Sequence, residues 1–145
     1  MTQTLTGHCH CGAIRISLES SVPVAKLPLR ACQCGFCRRH GGLTTGDPDG
    51  RLHIEVAPGA LSTYRFGQRQ ADTLICDECG VYVGMTLSTD VGLIGVLNVR
   101  GVGLEAFDGR EPQPMTYDHE SDEERLARRK ARWTPTVLVE ALPSA

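Results

Sequence analysis

Alternating apolar and polar positions predict strands over much of this chain. Ile14, Ile16 and Leu18 alternate with polar residues, and Leu52, Ile54 and Val56 repeat the pattern. A period of two is typical of strands with one buried face. Further strands are predicted where apolar residues cluster between turn signals, at 29–31, 61–66, 72–75, 81–87 and 93–99. The core is therefore expected to be mostly β.

Two segments lack this pattern. The chain begins with polar residues before Gly7, and we expect a polar arm there. Residues 38–50 are rich in glycine, proline and aspartate and offer little to bury, so we expect a loop that forms one wall of a site.

One helix is predicted near the end of the sequence. Ser121 and Glu124 form a capping-box pattern, and acidic residues in the first turn give way to basic residues before Arg132. We interpret that basic run as a solvated helix face. Trp133 is expected to anchor the helix on the core, and residues 136–142 are expected to form a final strand or an ordered tail.

Composition fits one domain of moderate size. The 145 residues are 41% hydrophobic and 22% charged. We therefore expect a single domain over 1–145, with a motif-bearing core at about 4–110 and a C-terminal helical extension at about 117–145. A net charge of -2 argues against nucleic acid or a membrane surface as the main partner. The sequence shows neither a long apolar stretch nor a secretory signal, so a cytoplasmic location is expected.

Seven cysteines form three tight clusters, and their odd number and spacing suit metal ligands better than disulfides. The clusters are the C-x-C pair Cys9 and Cys11, the C-x-C-x-x-C run Cys32, Cys34 and Cys37, and the C-x-x-C pair Cys76 and Cys79. Soft thiolates in a tetrahedral set favour zinc, with iron as the runner-up.

Two groupings of these ligands are compatible with the spacing. In one, the two pairs close a four-thiolate structural site and the C-x-C-x-x-C run forms a separate site with an open position, which is typical of catalytic zinc. In the other, a zinc ribbon takes four of the cysteines and leaves Cys9, Cys11 and Cys32 over; its ligands are Cys34, Cys37, Cys76 and Cys79. Spacing alone does not decide between them.

The order of the three motifs resembles the family of glutathione-dependent formaldehyde-activating enzymes, which also includes centromere protein V. Gly7 to Gly12 reads G-x-C-x-C-G, the second run continues into Arg38, and the third ends C-x-x-C-G. The likeness spans roughly residues 7–99. Ile75 stands where the family often has phenylalanine, and the chain is shorter than well-studied formaldehyde enzymes.

The resemblance implies a β-tent fold of several curled antiparallel sheets and up to two zinc ions per chain. By motif position, the structural ligands are Cys9, Cys11, Cys76 and Cys79, and the catalytic ligands are Cys32, Cys34 and Cys37. The reaction implied is that of a carbon–sulfur lyase, which adds glutathione to formaldehyde to give S-hydroxymethylglutathione, or reverses that addition. Its partners would be a small-molecule thiol and an aldehyde.

The residues themselves support such chemistry. Zinc lowers the pKa of a bound thiol, so a thiol can attack a carbonyl carbon as thiolate at neutral pH. Arg38 and Arg39 follow the second cluster and are candidates for binding a carboxylate of a thiol such as glutathione, although a solvated turn is the alternative. A non-catalytic zinc-stabilised protein-binding module is the other function kept open. A fourth protein ligand on the three-cysteine site would favour that module.

Overall fold

The computed structural model describes residues 3–141, which contain eleven strands, two α-helices and two short 3-10 helices. The α-helices are α1 (Gly35–His40) and α2 (Asp122–Arg132). The strands are β1 (Gln3–His8), β2 (Ile14–Ser20), β3 (Arg30–Cys32), β4 (Thr44–Thr45), β5 (Arg51–Val56), β6 (Leu61–Tyr64), β7 (Asp72–Cys76), β8 (Tyr82–Thr89), β9 (Gly92–Asn98), β10 (Gln113–Met115) and β11 (Thr134–Glu140).

The strands form one continuous, folded sheet in the order β1-β2-β5-β11-β9-β4-β3-β10, and β8, β7 and β6 extend from β9. Strand β11 joins the two halves, because Thr134 and Pro135 pair with β9 while residues 136–140 pair with β5. The mainly β class with a C-terminal helix is confirmed. Two pairings, β11 with β5 and β10 with β3, are parallel, whereas only antiparallel sheets were expected.

The alternating strands build the main core. Ile16 of β2 lies opposite Ile54 of β5, and both side chains are buried against Leu18 and Leu52. Their polar neighbours in sequence point to the other face, as the period of two requires. Burial of such side chains stabilises the fold by roughly 1.5–3 kcal/mol each.

Residues 3–8 form a strand, so the prediction of a polar arm was wrong for them. Strand β1 pairs along its whole length with β2, from Gln3 opposite Ser20 to His8 opposite Arg15. Leu5 is the buried hydrophobic side chain of this strand. An edge strand is held by backbone hydrogen bonds on one side, and these leave little trace in the hydrophobic pattern.

The segment 38–50 is more ordered than the predicted loop. It begins inside α1, where the Cys34 sulfur accepts a hydrogen bond from the backbone N–H of Cys37 (3.4 Å) and caps the helix. Gly41, with φ of 60°, ends it. Thr45 and Asp47 then lie buried, although the sequence suggested little to bury here. Thr44 does line a cavity, as expected of this segment.

Helix α2 starts and ends as predicted. The Ser121 hydroxyl accepts a hydrogen bond from the Glu124 N–H, and the Glu124 carboxylate accepts one from the Ser121 N–H (both 3.1 Å). Trp133 packs with Ile94 and Val96 of β9, which confirms its anchoring role.

Leu142, the last residue of the predicted final strand, lies outside the described residues. The described helices are all too short or too polar to cross a bilayer. The single-domain organisation stays a prediction.

Candidate zinc and substrate site

Four cysteines from two distant parts of the sheet lie close together. The sulfur atoms of Cys9, Cys11, Cys76 and Cys79 all lie within 4.8 Å of one another. The Cys9 and Cys11 sulfurs are 3.7 Å apart, and those of Cys11 and Cys76 are 3.6 Å apart. A tetrahedral set of thiolates about 2.3 Å from zinc has its sulfurs roughly 3.8 Å apart, so these residues fit a closed zinc site.

The loops that carry these cysteines are shaped by glycine and by backbone donors. Gly12 (φ 84°) and Gly80 (φ 78°) each follow a cysteine pair in the left-handed region, where a side chain would be strained. The backbone N–H of Ile14 donates to the Cys9 sulfur at 3.3 Å, and that of Cys79 donates to the Cys76 sulfur at 3.5 Å. Such donors stabilise sulfur as thiolate, the form that binds metal.

The other three cysteines form a second, separate cluster. Cys32 ends β3, Cys34 caps α1, and Cys37 lies in its first turn, so a strand-to-helix turn brings three sulfurs within 4.8 Å. Among residues 3–141, the structure brings no histidine, carboxylate or further cysteine into this group. The two clusters therefore have the four-plus-three grouping, and the zinc-ribbon grouping is not formed. The structural and catalytic roles stay predictions.

The electrostatics of the three-cysteine cluster suit a cation. Hydrogen bonds from the Cys32 and Cys37 thiols lower the pKa of Cys34 to about 2. The same contacts, together with burial, raise the pKa of Cys37 far above its usual value. The Cys34 sulfur is therefore easily deprotonated. Deprotonating the other two sulfurs as well would place three negative charges close together, and these charges would repel one another. A divalent cation that binds all three sulfurs relieves this repulsion, so the donor set fits zinc.

An aromatic cluster fixes α1 beside these sulfurs. Phe36, between Cys34 and Cys37, packs against Phe66 (5.0 Å between ring centroids) and edge-on against Tyr82 (5.2 Å). His40 packs on the same Phe36 ring at 4.5 Å. Helix α1 is too short to be stable alone, and these contacts hold it in place.

A cavity of about 480 Å³ opens against Cys32, Cys34 and Cys37. One wall comes from the C-terminal part of the chain. Met115 of β10 pairs with Cys32, and the Met115 carbonyl accepts a hydrogen bond from the Gln33 N–H at 2.9 Å. This parallel pairing brings residues 116–118 and then α2 over the cluster.

The cationic side chains that line this cavity lie outside α1, and a substrate-binding role for Arg38 and Arg39 stays a prediction. Arg38 and Arg39 are exposed on α1 and do not line it; the Arg39 guanidinium donates to the Gly35 carbonyl at 2.9 Å instead. Five other arginines line the cavity, namely Arg30, Arg125, Arg128, Arg129 and Arg132. The basic run of α2, interpreted from sequence as a solvated face, thus forms a wall of the site. The basic run was visible in the sequence as a possible anion-binding feature. Only the pairing of β10 with β3 shows that the run lies against the cavity.

Two of these arginines share one carboxylate. The Arg128 guanidinium donates twice to Glu120, at 2.8 and 3.0 Å, and the Arg125 Nε lies 3.5 Å from the same group. Hydrogen bonding from Arg128 holds the pKa of Glu120 below its usual value. Arg128 also stacks on the Tyr117 ring, with its Cζ 3.6 Å from the ring centroid. These contacts attach the segment before α2 to the helix.

Tyr82 is a site residue that the sequence did not single out. It lines the cavity floor, its side chain is 1% exposed, and its hydroxyl has no hydrogen-bond partner within residues 3–141. Burial, and then the charges of Cys37, Cys32 and Cys34, raise its pKa well above the usual value. The hydroxyl therefore stays protonated in the lining of the cavity that holds the three cysteines.

A folded β-sheet with one four-cysteine cluster and one three-cysteine cluster, each of zinc-binding geometry, defines the class of this protein. Residues 4–103 match the model of the family described as glutathione-dependent formaldehyde-activating enzyme, and the chain belongs to that family. A crystal structure of a Rhodobacter sphaeroides protein is 31% identical, with a TM-score of 0.58 over 77% of this chain and 100% of that one. Family membership implies a lyase-type enzyme at the level of the family.

Proposed function

We propose that this protein is a zinc-dependent carbon–sulfur lyase that adds a thiol, glutathione or a similar one, to formaldehyde or another small aldehyde, or catalyses the reverse reaction. The proposal includes up to two zinc ions per chain. It also includes a cytoplasmic location, because a reducing compartment keeps closely spaced cysteines available as metal ligands.

One observation carries the proposal: the three-cysteine cluster has no fourth ligand within the described chain and faces a cavity large enough for a small substrate. A closed four-ligand site would leave no position for substrate. This arrangement favours the enzyme over the protein-binding module, for which a fourth protein ligand was the expected sign.

The roles follow from the geometry. Cys32, Cys34 and Cys37 would hold zinc, which when bound lowers the pKa of a thiol and polarises a carbonyl. The cavity walls would hold thiol and aldehyde together, so that the addition proceeds without the cost of a bimolecular encounter. The Tyr82 hydroxyl, kept protonated by its raised pKa, would offset negative charge beside the sulfurs.

A screen of metal-replete protein tests the proposal. Glutathione and other cellular thiols are mixed with several small aldehydes, and exchange NMR measures the rates of hemithioacetal formation and breakdown. We expect both rates to rise equally for one thiol–aldehyde pair, because a catalyst leaves the equilibrium unchanged. Cys37→Ser should remove the acceleration, whereas Arg38→Gln, outside the cavity, should keep it. Unchanged rates for every pair would favour the zinc-stabilised binding module.

A further inference from the structure

The cavity wall holds more positive charge than the protein itself balances. Of its five arginines, Arg125 and Arg128 share Glu120, while Arg30, Arg129 and Arg132 have no carboxylate within 4.0 Å among residues 3–141. Asp118 is the acidic residue in the described lining, and it is exposed and forms no ion pair there. Neighbouring like charges repel, so such a set is costly unless an anion joins it.

Arg129 shows this cost most clearly. Its Nε is buried and has no hydrogen-bond partner within the described part of the chain. Burial, followed by the charges of Arg128 and Arg125, lowers its pKa to about 10. The Arg129 Cζ lies 5.0 Å from the centre of the Trp133 ring, within the range of a cation–π interaction. A buried donor without a partner is uncommon in folded proteins, and a bound ligand in the adjoining cavity would supply the partner.

We propose that Arg129, Arg132 and Arg30 form an oxyanion-binding subsite beside the Cys32 cluster, and that the substrate therefore carries a carboxylate or phosphate group. The planar guanidinium presents a fork of donors that matches either group. This inference rests on the proposed function, since it assigns the bound oxyanion to the reacting thiol or aldehyde. Arg129 and Arg132 lie beyond residue 103, where the family match ends, so most of the subsite belongs to this chain's own C-terminal segment.

The oxyanion can reach the subsite on either reactant. A thiol such as glutathione brings carboxylates on the sulfur side, whereas an aldehyde such as glyoxylate brings one on the carbonyl side. Two probes that cannot complete the reaction separate these sources. S-methylglutathione has the carboxylates without a free thiol, and glyoxylate without added thiol has only the aldehyde side.

The molecule contains its own reporter. Trp133 is the one tryptophan of the sequence, lines the cavity and contacts Arg129. Titration of the zinc-loaded protein with inorganic phosphate, S-methylglutathione and glyoxylate should change its fluorescence with saturation, and calorimetry should give the same Kd. N-acetyl-S-methylcysteine amide, which has no charge, should bind far more weakly. Binding should weaken as ionic strength rises.

The decisive comparison is between neighbouring residues of one helix. Arg129→Gln and Lys130→Gln remove the same charge, but Lys130 lies outside the cavity and pairs with Asp90. We expect Arg129→Gln to weaken probe binding by about tenfold to a hundredfold, as for loss of a hydrogen bond to a charged group, and Lys130→Gln by less than about twofold. If Arg129→Gln does not fold, Arg132→Gln takes its place with the same expectation.

The outcomes separate this inference from the proposed function. Equal binding by the Arg129→Gln and Lys130→Gln variants, or no saturable binding of any anionic probe, would overturn the subsite even in an active enzyme. Arg129-dependent binding by a protein that fails the thiol–aldehyde screen would keep the subsite and overturn the lyase. Tighter binding of S-methylglutathione assigns the oxyanion to the thiol, and tighter binding of glyoxylate assigns it to the aldehyde.

Discussion

The sulfur of Cys11 lies 3.6 Å from the sulfur of Cys76, although 65 residues separate them in the sequence. Cys11 follows β1, and Cys76 ends β7. These two strands do not pair, and five other strands separate them along the sheet within the described residues. The four-cysteine cluster therefore joins distant parts of the sheet, and the free energy of metal binding there contributes to folding.

Replacing one cysteine in each cluster should have different effects. Cys79→Ser should lower the melting temperature by about 10 °C or more, because it opens the cluster that joins the sheet and each kcal/mol shifts Tm by about 2–4 °C in a chain of this size. Cys37→Ser should lower Tm less and abolish activity, because its cluster is local in sequence and closes almost no loop. Thermal unfolding and thiol–aldehyde exchange are measured on both variants. If Cys37→Ser lowered Tm more than Cys79→Ser, the structural and catalytic roles of the two clusters would have to be exchanged.

Zinc should leave the two clusters at different rates. We expect up to two zinc ions per chain in purified protein, and mild chelation should remove the one at Cys32, Cys34 and Cys37 first, because four protein ligands resist exchange better than three. Metal analysis during chelation, with Cys37→Ser as the one-site reference, follows the loss. Equal rates from both clusters, or protein without zinc, would contradict the assignment.

The sequence predicted what depends on local pattern. Ile16 and Ile54 lie in strands whose alternation is clear, and Ser121 caps a helix by a pattern of four residues. The cysteine motifs predicted two groupings, and the structure has one of them. The strands and the helix cap are encoded by neighbours in the chain, whereas the choice between the two cysteine groupings depends on which distant residues the fold brings together.

The substrate wall depends on tertiary pairing and was not predicted. The α2 arginines reach the cavity because β10 pairs with β3. A strand was predicted at 29–31, which overlaps β3, but the three-residue β10 has no distinctive pattern and was not predicted. Arg38 and Arg39 were favoured because they adjoin Cys37 in sequence, but both are exposed and neither lines the cavity. Cysteine is also an unusual helix cap, so the start of α1 at Cys34 had no familiar signal.

Asp47 should contribute to stability in a pH-dependent way. Although burial opposes it, hydrogen bonds from the Ser21 N–H and hydroxyl (2.7 and 2.8 Å) and the Asp49 N–H (3.0 Å) hold the pKa of Asp47 below its usual 3.8. A carboxyl whose pKa is lowered by folding stabilises the protein above its unfolded pKa, and this contribution disappears as pH falls through the folded value.

Asp47→Asn should therefore lower the free energy of unfolding at pH 7 by about 1–3 kcal/mol, since a donor replaces one accepting oxygen. The difference from the unaltered protein should shrink as pH falls below about 4. Denaturant unfolding from pH 7 to pH 3 measures it, with Asp49→Asn, an exposed carboxylate, as the control. Because acid also releases zinc, only the difference between proteins at each pH is interpreted. A difference that does not change with pH would show that Asp47 acts through packing alone.

Tyr82→Phe should raise stability while lowering activity. The buried hydroxyl loses its water on folding and gains no partner within residues 3–141, so its removal should increase the free energy of unfolding by about 1 kcal/mol, or 2–4 °C in Tm. The same hydroxyl, protonated because its pKa is raised, lines the cavity with the three cysteines and is available to donate a hydrogen bond to a bound substrate. Without it we expect kcat/KM to fall about tenfold, which corresponds to about 1.4 kcal/mol.

Thermal unfolding and exchange kinetics on the same Tyr82→Phe preparation separate the two effects, and zinc analysis confirms equal metal content. Tyr64→Phe, which alters a half-exposed ring of the same aromatic cluster, is the matched control and should change neither quantity. A loss of stability would mean that the Tyr82 hydroxyl has a partner in the folded protein. Higher stability with unchanged kinetics would mean that it is a buried polar group without a role in the reaction.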